Sequence, residues 1–145
     1  MLTPTMPNST NARYEEWAVW FGRIAEVADD DIILVGHSMG GVFLAKYLSE
    51  YDFPKRIRAT LLVAAPYEDE AHEDLASFKI TGGLEKFVHQ GGDIIFYHGI
   101  DDVVPLSELK LYKKSIPKAE TYELSAQDHF VRGKFSEIIE TIKNL

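Results

Sequence analysis

A serine hydroxyl is a weak nucleophile until the chain displays it and another group removes its proton. The segment Gly36-His37-Ser38-Met39-Gly40-Gly41 has the residue types for display. It directly follows the apolar run Ile32-Ile33-Leu34-Val35, and so reads as G-x-S-x-G at a strand-to-helix joint. A strand that enters a helix at once leaves the joint residue strained, with positive φ. Side chains two residues before and two residues after would collide across the turn, which predicts that Gly36 and Gly40 must lack them. Ser38 would stand at the tip, with the free N–H groups and positive dipole end of a helix behind it. Glycine and serine are common, and an ordinary glycine-rich bend has the same letters. The pattern gains its weight from residues further along the chain.

Two downstream segments carry the groups such a serine needs. After Ile94-Ile95-Phe96-Tyr97 comes His98-Gly99-Ile100-Asp101-Asp102-Val103-Val104-Pro105, and after Thr121-Tyr122-Glu123-Leu124 comes Asp128-His129-Phe130. Each lies just past a strand-like run. In a parallel sheet both loops lie at the carboxyl edge, where open α/β sheets build their sites. His129 is therefore a candidate base, against the plain reading of a surface-loop histidine. His37, His72, His89 and His98 show no metal-like spacing and read as surface or loop residues, with His37 a candidate wall of the site. Trp20, Phe78, Phe87 and Phe130 are candidates for an apolar substrate pocket or, more simply, for core. Phe130 adjoins His129 and is the best placed of them to touch a substrate.

The elements that must position these groups can be read from periodicity. Tyr14 to Ala28 is an amphipathic helix with Trp17, Phe21, Ile24 and Ala28 on one face. Leu2-Thr3-Pro4 is a short strand stub, and Ile32 to Val35 is the second strand. Val42 to Tyr51 is a helix with Leu44, Leu48 and Tyr51 on one face. Ala59 to Ala65 is apolar throughout, as a strand covered on both faces should be, and Pro66 ends it. Residues 67–90 are irregular to helical and lie above the site. Ile94 to Tyr97 is a strand, Leu106 to Ser115 a helix opened by Pro105, and Thr121 to Leu124 the fifth strand. Phe135, Ile138, Ile139 and Ile142 give the last helix its core stripe. The fold class expected is α/β: a three-layer α/β/α sandwich with a mostly parallel sheet of about five strands, in a single domain over residues 1–145.

The order serine, aspartate, histidine is that of α/β-hydrolases. The chain resembles that superfamily, and within it is similar to the small lidless serine hydrolases related to the retinoblastoma-binding serine hydrolase. Pro4-Thr5-Met6-Pro7-Asn8 with Trp17, the GHSMGG elbow, the HGIDDVVP segment and DHF carry the resemblance. It implies that Ser38 attacks an acyl carbon, that His129 relays the proton, and that an aspartate orients the imidazole. It also implies that the Met39 backbone N–H faces the developing oxyanion. The superfamily pattern resembles H-G-x-x-D-x-x-V-P. Counting forward from His98 lands on Asp102, and counting back from Pro105 lands on Asp101. Asp102 is favoured because the strand end is the more rigid reference, and Asp101 is the alternative.

Such hydrolases normally open with a strand and a loop ahead of a segment resembling Pro4-Thr5-Met6-Pro7, and this chain begins at that segment. The resemblance therefore implies a truncated α/β-hydrolase fold, with three explanations open: an incomplete start of the chain, a strand supplied by another chain, or a reduced hydrolase whose elbow strand has a new neighbour. The loop in question usually supplies a second oxyanion donor, and losing one such donor costs about a hundred- to a thousandfold in turnover. An elbow strand with an open edge predicts a homodimer. The expected function is a carboxylesterase-like serine hydrolase that cleaves small acyl esters, thioesters or amides through an acyl-enzyme on Ser38. The alternative is a catalytically weak or inactive relative that acts as a binding module.

Composition is compatible with this. The 145 residues suit one domain with a real core. Hydrophobic residues make up 46% and charged residues 26%, ordinary values for a globular chain. The net charge of −8 argues against nucleic acid or anionic membrane as partners; a small acyl substrate is what the resemblance implies. The acidic stretch Glu68 to Asp74 supplies much of that charge and reads as a solvated face. With no cysteine there is no thiol nucleophile or thiolate metal site, and neither metal nor cofactor is expected. The absence of an apolar leader or a long apolar run predicts a cytoplasmic protein.

Overall fold

β-Branched and apolar runs separated by amphipathic segments of one helix length favour parallel strands joined by helical crossovers, and this is the arrangement found. The structure, a computed structural model, describes residues 1–68, 75–100, 103–125, 129–131 and 135–145. Along the chain run α1 (Tyr14–Val27), β1 (Ile32–His37), α2 (Met39–Glu50), β2 (Ile57–Val63), a single 3₁₀ turn (Ala76–Phe78), α3 (Glu85–Gln90), β3 (Asp93–Gly99), α4 (Leu106–Ser115), β4 (Glu120–Leu124) and α5 (Ser136–Asn144). The strands form one parallel sheet in the order β1-β2-β3-β4. Val35 lies opposite Leu61, Leu62 opposite Phe96 and Tyr97 opposite Tyr122.

The described sheet has four strands, one fewer than expected, because Leu2-Thr3-Pro4 is not a strand. The carbonyls beside it are taken by indoles instead. Trp20 Nε1 donates to Thr5 O at 3.1 Å, and Trp17 Nε1 donates to Pro7 O at 2.8 Å. Pro4 and Pro7 have no N–H with which to extend a ladder.

The two faces of the sheet carry separate cores. On one, Leu34, Leu62, Ile94 and Phe96 pack under α1 to α4. On the other, Ala59, Leu61, Val63, Ile95 and Tyr97 pack against Phe130 and Ile138 of α5. Tyr97 Oη donates to Thr141 Oγ1 at 2.6 Å and ties α5 down. Part of β1 is left uncovered on this face among the described residues, and Val35 is 50% exposed. Among the described residues no helix is long and apolar enough to cross a membrane.

The reading of α2 as a one-faced helix is corrected. Every residue from Gly41 to Leu48 is buried, because α2 packs on β1 and β2 as well as on α3 and the 3₁₀ turn. Tyr51 is exposed and stacks on Tyr47. Edge-on rings of Trp17, Phe21, Phe43 and Phe78 fill the space between α1, α2 and the turn, a preferred geometry for aromatic pairs.

Buried Lys46 in α2 also serves this junction. Its Nζ donates to Ser77 O at 2.8 Å and Lys79 O at 2.9 Å, and sits 4.4 Å from the Tyr14 ring centroid. Ser77 Oγ in turn accepts from Tyr14 N at 3.0 Å, at the start of α1. Burial, together with the hydrogen bond Tyr14 Oη donates to Glu50, pushes the Tyr14 hydroxyl far above its ordinary range, so it stays a donor. Replacing Lys46 with methionine keeps the helix and the bulk but leaves two carbonyls without their donor. The variant should lose about 1–3 kcal/mol in urea unfolding and be cut faster by protease around residues 75–80. Unchanged stability and cleavage would show that these bonds do not hold the segment.

Candidate active site

β1 ends and α2 begins within one residue, and that residue is Ser38. It has φ 51° and ψ −121°, a region that non-glycine residues occupy only when the surroundings enforce it, at about 1–3 kcal/mol. The enforcement is visible. Ser38 N donates to Val63 O at 2.9 Å, carrying the β1–β2 ladder one step past the strand. Ser38 O accepts from Gly41 N at 2.8 Å and Val42 N at 3.3 Å, closing the first turn of α2. Ser38 is partly exposed at the carboxyl edge of the sheet. Met39 takes the first helical position, where the N–H has no acceptor within its own helix.

The glycines divide differently from the expectation. A Cβ on Gly36 would lie 2.5 Å from Gly40 O and 2.8 Å from Gly41 Cα, so Gly36 is sterically required. A Cβ on Gly40 would meet nothing within 4 Å. The close approach on the helix side falls at Gly41, whose Cβ would come 2.5 Å from the Cβ of Ala65. The reason is helix phase: Gly40 contributes its backbone to the clash at Gly36, while its side-chain direction points away. Position 41 faces the chain just beyond β2. Ala64 there has φ 45°, and its N donates to Tyr97 O at 2.8 Å. Position 65 needs a small residue for this reason, and no spacing rule in the sequence pairs it with position 41.

His129 is brought to this edge from the far end of the chain. Its carbonyl accepts from His37 Nε2 at 2.7 Å, and the two imidazole centroids are 4.8 Å apart at 49°. The His129 Nε2 atom is buried. His129 and Phe130 have successive positive φ values of 53° and 56°. Phe130 sits in the second core against Phe135, 5.3 Å between centroids, so its ring is a buried anchor of this turn. Phe78 and Phe87 are core as well, and Trp20 is bound to Thr5. The structure thus brings together Ser38, Met39, His37 and His129. Asp101 and Asp102 lie outside the described residues, as do His72, Asp128 and the acidic stretch beyond Glu68.

The two ends of the aspartate segment are described. His98 was expected as a surface or loop residue, yet it lies in β3 and is 1% exposed. Its ring nitrogen Nε2 donates to Val104 O at 3.0 Å, which satisfies the buried imidazole. Beyond Pro105, Glu108 in the first turn of α4 is also buried, and its Oε2 accepts from Tyr67 N at 2.6 Å and Glu68 N at 2.7 Å. Glu108 thereby ties the chain leaving β2 to α4. Nothing in the sequence separates this glutamate from one on a solvated helix face. His89 is exposed. Among the described residues, no three His, Cys, Asp or Glu side chains are grouped to hold a metal ion.

A strained serine between a parallel strand and a helix, with a histidine returned to the same sheet edge, is the arrangement of one fold family. The family model for the alpha/beta hydrolase fold matches residues 3–80, more than half of the chain, and the chain belongs to that family. Solved structures agree on the fold. The ydeN gene product of Bacillus subtilis superimposes with a TM-score of 0.81 at 19% identity, over 97% of this chain and 79% of that one. A carboxylesterase structure from the thaumarchaeon Nitrososphaera gargenis gives 0.70 at 15% identity, over 97% and 74%. The thioesterase domain from the curacin biosynthetic pathway gives 0.69 at 13% identity, over 92% and 74%. No curated protein matches this chain in sequence.

The elbow geometry separates two adjacent glycines. Gly41→Ala should lower unfolding stability by about 1–3 kcal/mol through overpacking against Ala65. Gly40→Ala, with open space and a better helix former, should change it by less than about 1 kcal/mol and in the stabilising direction. Urea titrations of both variants check this, and equal losses would refute the assignment.

Proposed function

We propose that this protein is a serine hydrolase of the carboxylesterase type, acting on small acyl esters, thioesters or amides. The observation that carries the reading is Ser38 at positive φ on the strand–helix joint, with His129 tied to the residue beside it. Ser38 Oγ adds to the acyl carbon while its proton passes to the imidazole of His129. The new C–O bond remains, the bond to the leaving group breaks, and that group departs with the proton. Water then adds to the acyl carbon, giving up a proton to His129; the bond from that carbon to Ser38 Oγ breaks, His129 returns the proton to Oγ, and the acid leaves. The Met39 N–H donates to the oxyanion in both halves. Asp102 orients the imidazole in this reading, with Asp101 the alternative. Esterase and thioesterase neighbours of the same fold support acyl transfer to water, as does the motif resemblance to the retinoblastoma-binding serine hydrolase group.

The test is labelling of the folded protein by a fluorophosphonate probe and hydrolysis of p-nitrophenyl acetate. Ser38→Ala should abolish labelling and lower turnover by about a thousandfold or more. Unlabelled Ser38, or equal turnover by Ser38→Ala, would overturn the proposal. Of the acids, Asp102→Asn should lower kcat by about a hundredfold or more, and Asp101→Asn by less than about tenfold. The reverse order would reassign the acid to Asp101.

A further inference from the structure

His37 ends the elbow strand just before Ser38, and its side chain reaches across 92 positions of sequence to the backbone of His129. A carbonyl can only accept, so His37 Nε2 carries the hydrogen in this bond at 2.7 Å. The turn it grips needs holding. His129 and Phe130 both have positive φ without being glycine, a conformation that persists only where the surroundings impose it. Phe130 supplies one anchor, with its ring buried in the core against Phe135. The His37 bond supplies another, from the backbone of the same turn. His37 is itself placed by the elbow, being the last residue of β1, opposite Val63 in the ladder.

We infer that His37 is a positioning residue, whose Nε2–H holds the His129 carbonyl and so couples the place of the base to that of the nucleophile one residue away. The inference rests on the hydrolase reading of Ser38 and His129. It differs from the sequence-based expectation that His37 walls the substrate pocket: a wall acts on substrate binding, whereas a tether acts on the geometry of proton transfer. A displaced base should cost kcat and leave KM alone.

The experiment uses the full chain with His37→Leu, which keeps bulk and removes the donor, and His37→Gln, whose amide N–H can reach the same carbonyl. His37 is exposed, so neither change disturbs the core. With p-nitrophenyl acetate, His37→Leu should lower kcat by about 10- to 100-fold with KM within about twofold of the parent. His37→Gln should stay within about threefold of the parent in both. Amide hydrogen exchange at Phe130 should quicken in His37→Leu and remain parent-like in His37→Gln, which reads the tether without turnover. Three results overturn the inference: parent-like kcat in His37→Leu, equal impairment of both variants, or a rise in KM alone. A parent protein whose turnover survives Ser38→Ala would instead overturn the hydrolase reading, and the exchange measurement would still decide the tether.

Discussion

The chain reverses from strand to helix at Ser38 within a space too small for side chains, and much of the site depends on that crowding. Gly36 lies so close to the Gly40 carbonyl that even a methyl group could not enter. In return the backbone of α2 comes near enough for Ser38 O to accept two amides of its first turn. The strained φ of Ser38 is thus maintained by hydrogen bonds on both of its backbone polar groups. A second close approach, Gly41 on Ala65, seats α2 against the end of β2. The elbow is therefore fixed to two strands, and its serine inherits their rigidity, which is what preorganised chemistry requires.

The same need for fixed backbone governs the other loops at this edge. Each is tied by a side chain of a strand or helix: His98 of β3 to Val104 O, Glu108 and Tyr112 of α4 to the amides of Tyr67 and Glu68 and to Pro66 O (2.9 Å), and His37 of β1 to His129 O. All four meet backbone groups of loop residues beyond the strands, outside the sheet ladder. Buried polar groups must find partners, and most of these partners come from elements distant in sequence. The result is a set of loops whose relative positions depend on the helices packed around the sheet.

That packing is uneven. Among the described residues, four helices cover one face, while the other is covered by α5, through Ile138 and the Tyr97–Thr141 bond, and by Phe130. β1, the strand that carries the elbow, is an edge of the described sheet, with Val35 half open on the thinly covered side. Membership of the alpha/beta hydrolase fold family, matched over residues 3–80, accounts for the strand–elbow–helix unit. The two cores draw on residues inside that match and beyond it, since Ile95, Tyr97 and Ile138 all lie past residue 80.

The alternation of apolar runs and amphipathic segments was enough to read every described helix longer than one turn outside residues 67–90, and all four strands to within about two residues, because period and burial share one cause. The elbow was legible for a similar reason: a tight reversal demands glycine at Gly36, and a demand of that kind leaves a letter in the sequence. Leu2-Thr3-Pro4 has strand-like residues, yet indole N–H groups from α1 claim the neighbouring carbonyls, which no local pattern records. The burial of His98 and Glu108 is illegible for the same reason, since a polar residue is buried when a distant amide or carbonyl awaits it. Local chain chemistry, then, determined the elements and the turn at Ser38, through residue-by-residue steric and solvation preferences. Only the tertiary structure decided which of two adjacent glycines is indispensable, which histidine lies buried, and what holds His129 beside the elbow, because those depend on distances between segments far apart in sequence.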